Sequence, residues 1–88
     1  MLYNTCIAST YKNTEMLIYA ERVIKTSLGL LKQYNLVFDD GCYYIHDINE
    51  DQFDDVGSEF IEEYCTDYSL SNTEEQMINA FHNWCDDK

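Results

Sequence analysis

Residues 13–35 read NTEMLIYAERVIKTSLGLLKQYN, and their periodicity predicts one amphipathic helix. Asn13 is a suitable cap, and Glu15 falls in the first turn, where the helix dipole favours an acid. Met16, Ala20, Val23, Ile24, Leu31 and Tyr34 recur at three- and four-residue intervals on one face. Arg22, Lys25 and Lys32 project from the other face, with Glu21 four residues before Lys25. The helix would run for about five to six turns. Gly29 lies on its outer side, at a cost of about 1 kcal/mol relative to alanine. Upstream, LYNTCIAST within residues 1–12 reads equally as a short strand or a turn of helix.

Downstream, residues 35–48 (NLVFDDGCYYIHDI) read as a β-hairpin. LVF and CYYIH are strand formers, and Asp40-Gly41 supplies what a tight type I′ turn requires. Cys42, Tyr44 and His46 would share one face, Tyr43 and Ile45 the other. From Asn49 a second helix is expected, with Asn49 and Gln52 spaced as a capping box. Phe53, Val56, Phe60 and Tyr64 would form its inner stripe, with Ile61 at the edge, and Gly57-Ser58 could divide it in two. The final helix is capped by Ser71 or Asn72, with Glu74 and Glu75 in its first turn. Met77, Ile78, Phe81, Trp84 and Cys85 form its apolar stripe. The expected fold is a small α+β single domain over residues 1–88: a long helix, a hairpin, then two helices packed on it.

Eighty-eight residues, 45% hydrophobic and 15% aromatic, suffice for one modest core and exclude a disordered acidic tail. The net charge of −12 is unevenly spread. Lys12, Arg22, Lys25 and Lys32 precede residue 33, whereas Gln33 to Asp87 holds fifteen acids and no Lys or Arg. Direct binding to nucleic acid requires the opposite sign, as phosphate affinity comes from Lys and Arg. Anionic membranes would repel the chain for the same reason. The start, MLYNTCIASTYKN, lacks the features of a signal peptide, and no apolar run approaches the ~20 residues of a membrane span. A cytoplasmic location with Cys6, Cys42, Cys65 and Cys85 as free thiols is the expectation.

Eight carboxylates crowd DINEDQFDDVGSEFIEEYC (47–65) without one Lys, Arg or His. As a calcium loop, Asp47, Asn49 and Asp51 fit the first, third and fifth positions, but Gln52 stands where glycine is needed and Ser58 where a bidentate glutamate is needed. For zinc, Cys42-x3-His46 would hold its ligands about 13 Å apart along a strand, too far to share an ion. His82 and Cys85 are one helical turn apart, and a buried thiol explains Cys85 more simply. No nucleophile elbow, metalloprotease, phosphate-loop or dinucleotide motif occurs, so no enzyme and no cofactor is expected.

The remaining use of the charge is a partner. As a helix, Asp51 to Glu63 would span about 18 Å and align Asp51, Asp54, Asp55, Glu59, Glu62 and Glu63. That is one charge per ~3 Å, near the ~3.4 Å of a single DNA strand. Asp47, Asp67, Asp39 and Asp40 extend the field. Tyr43, Tyr44, Tyr64 and Tyr68 lie among the acids, and tyrosine suits protein interfaces.

In these characters the chain resembles small acidic proteins of phages and mobile elements that disarm host defence, among them anti-CRISPR proteins, antirestriction proteins and inhibitors of DNA-repair glycosylases. YYIHD (43–47) is similar to a Tyr-x-Ile-His-Asp run of plasmid antirestriction proteins. The resemblance implies a DNA-mimic inhibitor, monomeric or homodimeric, acting in the host cytoplasm. Its partner would be a basic nucleic-acid-binding protein, either a CRISPR effector or a restriction enzyme. The alternatives are an acidic regulatory module that binds a basic partner without mimicry, and a calcium-binding protein.

Overall fold

The structure, a computed structural model, describes residues 16–88. The ambiguous segment 1–12, the Asn13 cap and Glu15 lie outside these residues. Among the described residues four strands come first: β1 (Leu17–Lys25), β2 (Leu31–Asp39), β3 (Cys42–Asp47) and β4 (Gln52–Val56). Two helices follow, α1 (Ser58–Tyr64) and α2 (Thr73–Asp86). The strands form one antiparallel sheet in the order β1-β2-β3-β4.

The expected long helix is therefore absent, and the expected architecture is corrected. Residues 17–39 are instead a hairpin with Lys25 opposite Leu31. Ile18, Val23, Ile24 and Thr26 are β-branched, which disfavours helix and suits a pleated surface. Alternation then sorts the side chains. Ala20 and Ile24 face the helices beside Leu36 and Tyr34, whereas Val23 and Leu31 face the other way and are exposed. The six residues expected on one apolar stripe are thus divided between two faces.

The turn explains Gly29. It adopts φ +85°, and its N–H donates to the Thr26 carbonyl at 2.8 Å. The Thr26 N–H in turn donates to the Leu30 carbonyl at 2.8 Å. This is the hairpin loop in which a turn is followed by a glycine in the left-handed region. The two readings of Gly29 make opposite predictions. In a helix, Gly29→Ala would stabilise by about 1 kcal/mol. In the hairpin a Cβ meets nothing within 4 Å, so only the left-handed backbone resists it. The expected result is destabilisation by about 1–2 kcal/mol, read from the midpoint of urea unfolding.

The β2–β3 hairpin covers the segment expected from Asn35, but β2 begins four residues earlier, at Leu31, inside the expected helix. Asp40 (φ 52°) and Gly41 (φ 82°) both have positive φ, as a type I′ turn requires. Leu36 and Val37 are fully buried, so β2 is covered on both faces. The start of the next element is a second correction. Residues 52–56 are strand β4 and not helix, with His46 opposite Phe53 and Tyr43 opposite Val56. The polar residues that resembled a capping box build a turn instead. Asn49 Oδ1 accepts from the Gln33 N–H at 2.9 Å, and Asp47 Oδ1 accepts from the Glu50 N–H at 3.1 Å. Such side-chain bonds compete with helix initiation. Gly57 then divides strand from helix.

The C-terminal helix forms as its capping signals indicate. Asn72 Oδ1 accepts from the Glu75 N–H at 2.9 Å, and Glu75 reaches back to Ser71. Met77, Phe81 and Cys85 of α2 pack on Ile24, Tyr34, Leu36 and Ile45 of the sheet. Tyr34 meets Trp84 edge-on at 4.9 Å between centroids. α1 leans on α2, and Asn83 ties them by donating to the Tyr64 carbonyl at 2.8 Å.

Candidate functional site

Among the described residues β4 is an edge strand that leads through Gly57 into α1, so the acid-rich segment folds along one border of the sheet. The single helical row expected from Asp51 to Glu63 does not exist. Asp54 lies opposite Ile45 and Asp55 opposite Tyr44, so successive carboxylates leave opposite faces of the sheet. Within α1 the helical logic does hold. Glu59, Glu62 and Glu63 are spaced by three and four residues on one exposed face, while Phe60, Ile61 and Tyr64 turn inward.

Among the described residues two shallow clefts adjoin this border. Asp55 and Glu59 line one of about 450 Å³ with Cys42, Tyr43 and Val56. Glu62 lines the other, of about 370 Å³, with Tyr43, Ser58, Thr73 and Gln76. Tyr43 stands at their junction, its ring 4.8 Å from Phe38 and 5.7 Å from Tyr19. Burial raises the pKa of its hydroxyl, so it remains a neutral hydrogen-bonding group among the acids. The structure therefore brings together Asp55, Glu59, Glu62, Glu63 and Tyr43. Ser58, Thr73 and Gln76 join them only through the packing of α1 on α2, which no local sequence signal announces.

The other expected site residues lie elsewhere. Asp47 pairs with Lys32 at 2.8 Å. Burial pushes its pKa up, but the Lys32 ammonium and the Glu50 N–H outweigh that and hold it below the usual carboxylate value. The pairing thus adds stability at neutral pH that is lost as pH falls through the depressed folded value. Asp51 contacts His46 at 3.0 Å, and the imidazole stacks on Phe53 at 3.9 Å between centroids. Tyr44 is on that same face, edge-on to Phe53. Asp67 is held by the Ser69 hydroxyl and N–H in its own loop, which lowers its pKa. Asp39 and Asp40 sit at the β2–β3 turn. One Asp39 carboxylate oxygen is buried with no hydrogen-bond partner among the described residues.

The cations are separated too, and the expected basic stripe is absent. Arg22 reaches α2, pairing with Asp86 at 2.6 Å and lying 3.2 Å from His82 Nδ1. Lys32 is taken by Asp47, and Lys25 points to the opposite face of the sheet. As strand neighbours four residues apart, Glu21 and Lys25 are about 13 Å distant and do not pair.

Asp47, Asn49 and Asp51 each bond to a different protein group rather than converging as calcium ligands. No group of three or more His, Cys, Asp or Glu poised for a metal occurs among the described residues. Cys42 is exposed, whereas Cys65 and Cys85 are buried, and all three are free thiols. Burial pushes the Cys85 thiol up to about 11. A thiol reagent at pH 8 is expected to label Cys42 within minutes and to spare Cys65 and Cys85 until the chain unfolds, as read by peptide mass mapping. Fast labelling of Cys85 would contradict the packing of α2. No helix among the described residues is long and apolar enough to cross a membrane.

No protein-family profile matches the chain, no curated protein matches its sequence, and no solved structure matches its fold.

Proposed function

We propose that the chain is a phage-type inhibitor that docks its acidic border, β4 with α1, into the Lys- and Arg-lined nucleic-acid groove of a host defence protein. A CRISPR effector is the favoured partner, because such proteins hold nucleic acid in a positively charged channel and read a short duplex with arginine. The observation that carries the proposal is the pattern of pairing. Among the described residues only Asp47 and Asp86 pair with a Lys or Arg. Asp54, Asp55, Glu59, Glu62 and Glu63 are exposed and have no cationic partner among the described residues. Their mutual repulsion works against a small domain with little stability to spare, and an external cationic groove would relieve it. The match to DNA is one of sign and local charge density, not of a straight row of phosphates, since β4 and α1 do not continue one axis.

Capture from nuclease-treated host lysate, eluted with graded salt, tests this. One nucleic-acid-binding protein released between low and moderate salt is the expected result, because counterion release makes such contacts steeply salt-dependent. A partner held without regard to salt would favour a regulatory module over charge mimicry. No partner at all would reduce the acids to a solubility device.

A further inference from the structure

Among the described residues the sheet ends at β1 and at β4, and these two edges are built differently. β4 is short and carries Asp54 and Asp55, charges that discourage strand pairing. β1 is nine residues long, and its outer side has no strand partner among the described residues. Its exposed side chains are apolar to an unusual degree for an edge: Leu17 is 48% exposed, Ile18 51% and Val23 63%. The adjoining turn adds Leu28 at 84% and Leu30 at 61%. Among the described residues the acidic edge is bordered by fewer exposed apolar side chains, Phe53 at 45% and Ile48 at 38%.

We propose that β1 pairs antiparallel with β1 of a second copy of this chain, about a two-fold axis at Val23, to make an eight-stranded sheet. Every second residue of this strand, Glu21, Val23 and Lys25, is self-complementary about that axis, while Arg22 and Ile24 lie on the helix face, where Arg22 is held by Asp86. Val23 meets the second copy's Val23. Glu21 stands opposite the second copy's Lys25, and Lys25 opposite its Glu21. All these side chains lie on the sheet face away from the helices, where Glu21, Val23 and Lys25 are exposed and Glu21 and Lys25 have no ion-pair partner among the described residues. Opposite charges and apolar pairs directly across an antiparallel ladder both favour this register, and a two-residue slip puts like against unlike.

The same axis brings the turn at 26–30 of one copy alongside Met16 to Ile18 of the other, within the one-residue slip of the bulge between Ile18 and Ala20. Leu28 and Leu30 then cover Leu17 and Ile18 at both ends of the ladder. Pairing of two nine-residue strands alone is small beside the ~1,200 Å² at which stable interfaces begin. The apolar ends raise it towards that bound, so a dimer that dissociates on dilution is the expected behaviour. With four strands spaced by about 4.8 Å, β1 lies roughly 14 Å from β4. Pairing through β1 therefore leaves the acidic border of each copy free and turned outwards.

Sedimentation of the full chain over about 1–300 µM tests the proposal, with two single charge reversals and their combination. Dimer is expected at the upper end. Glu21→Lys sets Lys against Lys25 twice per dimer, and Lys25→Glu sets Glu against Glu21 twice. Each should weaken dimerisation about tenfold or more. The double variant Glu21→Lys/Lys25→Glu restores opposite charges and should restore the dimer. These positions are exposed, and far-UV circular dichroism confirms that the variants fold. A chain that stays monomeric at every concentration overturns the proposal. So does a dimer indifferent to the single reversals, or one that the double variant fails to rescue.

Discussion

Phe81→Ala is expected to cost about 3–5 kcal/mol, the range for truncating a buried aromatic side chain. Phe81 is 0% exposed and belongs to the cluster that joins α2 to Ile24, Leu36 and Ile45 of the sheet. An alanine there leaves a void between helix and sheet, because β1, β2 and β3 hold one wall and the Arg22–Asp86 pair ties the C-terminal end of α2 to β1. A domain of this size has about 5–15 kcal/mol in total, so the loss removes between about a fifth of the stability and all of it. Trp84, the one tryptophan of the chain, lies on the same helix 6.5 Å from Phe81 between ring centroids. Its fluorescence during urea unfolding reports the change directly. A loss below about 1 kcal/mol would mean that α2 does not pack on the sheet as described.

Reversal of Asp55, Glu59, Glu62 and Glu63 to Lys is expected to abolish partner binding, with a loss on the order of 10³-fold or more. Each substitution changes the charge by two units, so the net charge moves from −12 to −4. Loss of attraction at these positions is compounded by repulsion from the lysines and arginines of the groove. The four residues are exposed and make no ion pair among the described residues. Thermal unfolding should therefore change little or improve. Reversal of Glu50 alone, in the β3–β4 turn, set beside reversal of Glu62 alone, controls for net charge, because each moves it by two units, and the Glu50 variant should lose less. Equal losses in the two variants would point to bulk charge and against a defined surface.

What the sequence revealed was what local chemistry determines. Asp40-Gly41 specified the β2–β3 turn, because two consecutive positive φ values suit few other residues. Asn72 with Glu75 specified the start of α2. What it concealed was decided by partners distant in sequence. In LIYAERVIK (17–25), apolar residues fit a 3.6-residue and a 2-residue period almost equally. Pairing with β2 resolves the ambiguity, and the pairing is invisible to periodicity. Val23 and Leu31 misled most, because exposed apolar side chains on a sheet look like the missing members of a helical stripe. In 52–56, Phe53 and Val56 kept helical spacing, yet Phe53 stacks on His46 and Val56 faces the core. The acidic character of the border was legible in composition. Its geometry was not, because Gly57 separates a strand, where neighbouring acids diverge, from a helix turn, where Glu59, Glu62 and Glu63 converge.

The most direct test of the functional account is competition on the isolated partner. A labelled DNA duplex bound to that protein is titrated with this chain, and anisotropy follows the release of the duplex. Mutual exclusion is predicted: the duplex is displaced completely, the apparent affinity of each ligand falls with the concentration of the other, and the Asp55/Glu59/Glu62/Glu63 reversal displaces none. A ternary complex, in which the duplex stays bound while this chain saturates the partner, would contradict occupation of the nucleic-acid groove.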